Sequence, residues 1–71
     1  MKIAYDREAD ALYIRFLDIA PTDNVDIEDG VTVDVDQNRH IVGMEILDAS
    51  RRFPEQALST VTIENLLPQA H

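Results

Sequence analysis

Carboxylates recur in close pairs along this chain: Asp6 with Asp10, Asp26 with Glu28, and Asp34 with Asp36. On an extended strand, alternate residues share a face and lie about 7 Å apart. Two such carboxylates could hold a hard, oxygen-seeking cation such as Mg²⁺ or Ca²⁺. His40 follows Asp36 by four residues and is a group whose charge changes near neutral pH, so Asp34, Asp36 and His40 invite an acid–base reading. Neither idea goes far. Asp34-Val35-Asp36-Gln37-Asn38 opens like a calcium loop but lacks the later glycine and the distal bidentate glutamate. A general base must sit beside a pocket, and a sheet of this size offers little room for one. There is no cysteine, and the two histidines, His40 and His71, are too few for a zinc centre. No Gly-rich phosphate loop, nucleophile elbow or Ser/His/Asp order is present. The expectation is therefore no catalytic residue, no metal site and no cofactor. The alternative is a small metal- or ligand-binding enzyme using the acidic face: Asp6, Asp10, Asp34, Asp36 and His40.

The elements that would carry these groups read mainly as strands. Lys2–Tyr5 is a short strand with Ile3 and Tyr5 on one face, and the polar segment 6–10 connects it to Ala11–Leu17. There Leu12, Ile14 and Phe16 point one way and Tyr13, Arg15 and Leu17 the other. A helix over Glu8–Leu17 is the competing reading; the Asp18–Asn24 loop with Pro21 favours the shorter strand. Val25–Glu28 is a short edge strand opposing the first hairpin, and Asp29-Gly30 is a turn. Val31–Val35 and Ile41–Leu47 are the best-defined strands, with two open registers. A two- or four-residue loop puts Val31, Val33 and Val35 opposite the Val42, Met44, Ile46 set. A three-residue loop with a bulge at Arg39 sets Val33 against Gly43 and Val31 against Glu45. Gly43, inside a strand, marks a bulge or a close crossing.

After Leu47 the pattern changes. Pro54–Leu58 reads as a helical turn, and Thr62 as the N-cap of a second over Ile63–Leu67. Leu66 and Leu67 would then pack on the sheet before Pro68 ends the segment. The fold expected is α+β: an antiparallel β-meander of about four strands followed by one or two short C-terminal helices. Residues 1–71 form a single small domain, 1–47 the meander and 48–71 a mostly helical tail.

Seventy-one residues, 45% of them apolar, make one globular domain near the lower size limit. So small a core, without disulfide or metal, calls for another source of stability, and self-association as a homodimer is the expectation. Tyr5, Tyr13, Leu17, Ile41 and Leu47 are the interface candidates, as a second apolar face, with plain core packing the alternative. Fourteen acids against six bases leave a net charge of −8. That field repels a phosphate backbone, so no nucleic-acid partner is expected, whereas a basic protein partner is compatible. No apolar run approaches the roughly 18 residues that span a bilayer, so no membrane partner is expected. The acids at Asp6, Glu8 and Asp10 leave no signal-peptide core, and the expected location is cytoplasmic.

Several residues together carry a resemblance. Tyr5-Asp6, Asp10-Ala11-Leu12-Tyr13-Ile14, Gly30-Val31, Val33-Asp34, Asp36, Ile41-Val42-Gly43-Met44-Glu45-Ile46-Leu47 and Ala49-Ser50 resemble domain of unknown function 2283, a family of small prokaryotic proteins. The likeness covers roughly residues 3–50 in order and spacing. One departure stands out: the family commonly has Gly where this chain has Arg39, which bears on the bulged turn. The resemblance implies a fold and no activity. By analogy with small acidic proteins encoded beside basic ribonuclease-like toxins, an antitoxin-like interaction role is expected.

Overall fold

The computed structural model describes residues 1–64. It has five strands, one more than expected: β1 (Lys2–Asp6), β2 (Ala11–Arg15), β3 (Asp23–Glu28), β4 (Val31–Val35) and β5 (Ile41–Ile46). Two short helices follow, α1 (Ala49–Arg52) and α2 (Glu55–Ser59). Residues 60–64 form no regular element, so the expected helix over 63–67 does not begin by Glu64; its remainder, with Leu66 and Leu67, lies outside the described residues. The architecture is α+β, a wholly antiparallel sheet followed by helices.

The strand order is β1-β2-β5-β4-β3, so the chain is not a plain meander. After the β1–β2 hairpin, residues 16–22 run past the ends of β5 and β4 to the far edge. There β3 starts a three-strand meander that returns β5 to the side of β2. β3 is an edge strand as expected, but it pairs with β4, not with the first hairpin.

Directly paired residues of neighbouring strands share a face, so the registers define both faces of the sheet. One row, Ile3–Ile14–Met44–Val33–Val25, crosses all five strands and is entirely apolar. Beside it runs Tyr5–Leu12–Ile46–Val31. The opposite face carries Lys2, Arg15, Asp34 and Asn24 in one row and Ala4, Tyr13, Glu45, Thr32 and Asp26 in the next. Alternation of apolar and polar residues in β4 and β5 thus becomes a greasy side and a polar side.

The β4–β5 connection combines both expected registers. Asp36 and His40 close a three-residue loop, with Asp36 N–H donating to the His40 carbonyl and Arg39 N–H to the Asp36 carbonyl (both 2.9 Å). Arg39 takes the left-handed conformation at φ 66°. Continued unchanged, that loop would place Val33 opposite Gly43. Instead Val35 pairs with Ile41 and Asp34 with Gly43, leaving Val42 as an extra residue. This second bulge restores the pairing of Val33 with Met44 and Val31 with Ile46. The driving force is plain: a one-residue slip would turn Glu45 toward the apolar face. The bulge is held from the other side, where the Val42 carbonyl accepts from Phe16 N–H (2.8 Å) and Leu17 N–H (3.2 Å).

The core is small. Val42 and Ala49 are fully buried, and Ala11, Val33 and Val35 nearly so. The helices sit at the end of the sheet where the β1–β2 and β3–β4 turns lie. Ala49 N–H donates to the Asp10 carbonyl (3.0 Å), and the Arg52 guanidinium reaches the carbonyls of Leu47 and Asp29 and the Glu28 carboxylate. Gly30, at φ 83°, leaves room for that guanidinium, which a Cβ there would meet at 2.6 Å. Strand–strand packing dominates the tertiary contacts; among the described residues no helix lies across the sheet to comparable extent.

Candidate functional site

The most connected polar cluster lies where the β1–β2 turn meets α1. Asp10 adopts a left-handed conformation, φ 52°, which turns its side chain back toward β1 and leaves its carbonyl for Ala49. Its carboxylate accepts from Tyr5 Oη (2.6 Å), Ser50 Oγ (2.7 Å) and Ser50 N–H (3.0 Å). The Tyr5 and Ser50 hydroxyl bonds, followed by the Ser50 amide and the nearby Arg51 charge, hold the carboxyl below its ordinary value despite partial desolvation. The bond to Asp10 raises the Tyr5 phenol in turn, since losing that proton would set two negative charges together. An open cleft of about 510 Å³ adjoins the cluster, lined among others by Tyr5, Arg7, Ser50, Phe53 and Leu58.

Chemically this cluster is closed. A carboxylate held in its charged form by three donors is a weak base, and both hydroxyls facing the cleft spend their protons on it. Among the described residues, no imidazole stands beside Ser50 to raise its nucleophilicity. The arrangement is a latch between residues forty positions apart. The sequence reading, which grouped Asp10 with Asp6 and His40, missed the latch because Tyr5 and Ser50 were not read as its partners. The available signal was that Tyr5, Asp10 and Ser50 all belong to the pattern carrying the resemblance.

The other acids of that grouping, Asp6, Asp34 and Asp36, also accept hydrogen bonds. Asp6 accepts from Glu8 N–H (3.0 Å) and Ala9 N–H (3.2 Å), ordering the β1–β2 turn. Asp36 accepts from His40 N–H (3.0 Å) and Asn38 N–H (2.8 Å), and these two amides, His40 first, keep its carboxyl below the ordinary value. His40 is exposed, its Nδ1 3.9 Å from Asp36 Oδ2. Asp34, on the polar face, accepts from Tyr13 Oη at 3.2 Å, and the Tyr13 ring crosses Gly43 to reach it. A Cβ at Gly43 would lie 2.7 Å from that hydroxyl and 2.9 Å from the Ile14 carbonyl, so the glycine permits the close crossing its position suggested. Among the described residues, no three His, Asp or Glu side chains cluster closely enough to hold a metal ion.

The five interface candidates do not share one surface. Tyr5 lies on the apolar face and Tyr13 on the polar face. Leu17 is exposed in the β2–β3 connection. Ile41 and Leu47, both exposed, flank opposite ends of β5, about 20 Å apart by strand rise. Charge on the polar face is divided: Asp26, Asp34 and Glu45 lie on β3, β4 and β5, Lys2 and Arg15 on β1 and β2. No described helix is long and apolar enough to cross a membrane.

A five-stranded antiparallel sheet with an apolar side, a polar side and a hydrogen-bonded helical latch defines a small α+β protein. The family model "Protein of unknown function (DUF2283)" matches residues 2–50, and the chain belongs to that family. The match ends at Ser50, the last residue of the latch. No curated protein and no solved structure matches the chain.

Proposed function

We propose that this chain is a non-enzymatic protein-interaction module, acting as a homodimer in the cytoplasm and binding a basic protein in an antitoxin-like way. The observation that supports this most is the contrast between its polar groups and its surfaces. Asp10 and Asp36, the carboxylates with the most distinctive environments, accept hydrogen bonds from internal donors. Meanwhile an apolar row and an acidic half-face remain available for contact. Asp26, Asp34 and Glu45 supply a field that speeds encounter with a cationic surface and disfavours polyanions.

The test is capture of the tagged chain from its source cell, followed by native mass spectrometry. A stoichiometric complex with a basic protein, weakened as salt rises from 50 to 500 mM, is expected. Recovery of isolated protomer alone would overturn the reading.

A further inference from the structure

We infer that two copies of this chain pack their apolar sheet faces together, making a two-sheet sandwich around the row Ile3–Ile14–Met44–Val33–Val25. This rests on the interaction reading above and deepens it by naming the surface and its occupant. Of the five residues in that row, only Val33 is buried; Ile14, Met44 and Val25 are half-buried, and Ile3 is 39% exposed. The α1–α2 pair sits at the Tyr5 end, and the buried Val35 and Val42 lie toward the end passed by the β2–β3 connection. Among the described residues no helix packs extensively across the rest of the row, and its exposure is greatest at Ile3.

Charge and edge design point to a second copy. The row contains no charged residue. The acids at its β3 rim, Asp23 and Glu28, already face Arg39 and Arg52 at 3.5 Å, so a basic partner finds little to grip there. Two like-charged copies can meet on this neutral surface with Asp26, Asp34 and Glu45 turned outward. Pairing through strand edges is discouraged: β3 carries Asp23, Asp26 and Glu28 and a bulge at Ile27, while β1 begins with Lys2 and ends with Asp6.

The dimensions approach those of a small specific contact. Five strands about 4.8 Å apart and about 17 Å long present roughly 400 Å² in projection. Two such faces hide about 800 Å² before side-chain relief is added, near the roughly 1,000 Å² of a specific contact. Because the same patch serves both copies, the assembly closes on a two-fold axis and stops at two.

Sedimentation velocity on the purified full-length chain tests this, with circular dichroism to confirm folding. Wild type is expected to dissociate with dilution from a dimer to the 8.0 kDa protomer. Ile3→Glu, at the exposed end of the row, should weaken dimerisation at least tenfold. Ile27→Glu adds the same charge at an exposed site on the bulged edge and should leave it within about twofold of wild type. Met44→Glu places the charge at the centre; where that variant fails to fold, Ile3→Glu decides. A monomer at every concentration, a dimer insensitive to Ile3→Glu, or one lost only in Ile27→Glu would overturn the inference. The basic partner is absent from this experiment, so a monomer that still captures one removes the face-to-face dimer and spares the heteromeric reading.

Discussion

At Asp10 a left-handed backbone and three accepted hydrogen bonds occur together, and the arrangement makes stability depend on pH in a definite direction. A carboxyl held below its ordinary 3.8 contributes stability above that value and loses it as pH falls through the folded value. Asp36 adds to the same acid limb. Tyr5, raised above 10.0, contributes in the opposite sense: its stabilisation is complete below pH 10 and is lost as the phenol ionises at higher pH. Urea midpoints should therefore fall below about pH 4 and again above about pH 10. Asp10→Asn should lower the midpoint at neutral pH and flatten the acid limb, and an unchanged acid limb would show that the latch does not hold in solution. Arg39 offers a second test. It occupies a left-handed turn position where the family commonly carries Gly, and a side chain there costs about 1 kcal/mol relative to glycine. Its exposed pair with Asp23 returns at most a few tenths. Arg39→Gly should raise unfolding free energy by about 0.5–1 kcal/mol, measured by chemical denaturation.

Among the elements, β5 depends on its neighbours more than any other strand. Its bulge at Val42 is stabilised by two β2-side amides, and its Gly43 lies under Tyr13. Gly43→Ala sets a methyl group against a backbone carbonyl that cannot yield, so a loss of roughly 1–3 kcal/mol is expected on denaturation. An unchanged midpoint would contradict the packing of Tyr13 on that strand. The same locality explains how far the sequence could be read. Alternation made β4 and β5 legible, whereas Arg39, standing where the resemblance expects Gly, left the bulged turn in question. The second bulge stayed hidden because it depends on Phe16 and Leu17, residues distant in sequence. The hairpin alone therefore left its register open between two answers that the structure combines. β3 was visible as an edge strand, but its partner was not, since a strand rich in exposed acids carries little pattern to dictate pairing. The candidate site was less legible still: grouping Asp6, Asp10, Asp34, Asp36 and His40 by residue type could not show that each acid is spent on a neighbouring amide or hydroxyl.

For the molecule as a whole, the sheet organises everything else. Its polar side carries divided charge, its edges are guarded, its helices are fastened at one end, and among the described residues no helix covers its apolar side. A net charge of −8 on each copy opposes self-association, while apolar contact drives it. Salt screens the first and leaves the second intact. The dimer and a complex with a basic protein should therefore respond to ionic strength with opposite signs. The most direct measurement is sedimentation equilibrium of the pure chain at 50 and 500 mM NaCl. The expected result is a dimer of 16.0 kDa, twice the 8.0 kDa protomer, with a dissociation constant that falls as salt rises. A species of 8.0 kDa at both ionic strengths, up to the highest soluble concentration, would contradict it.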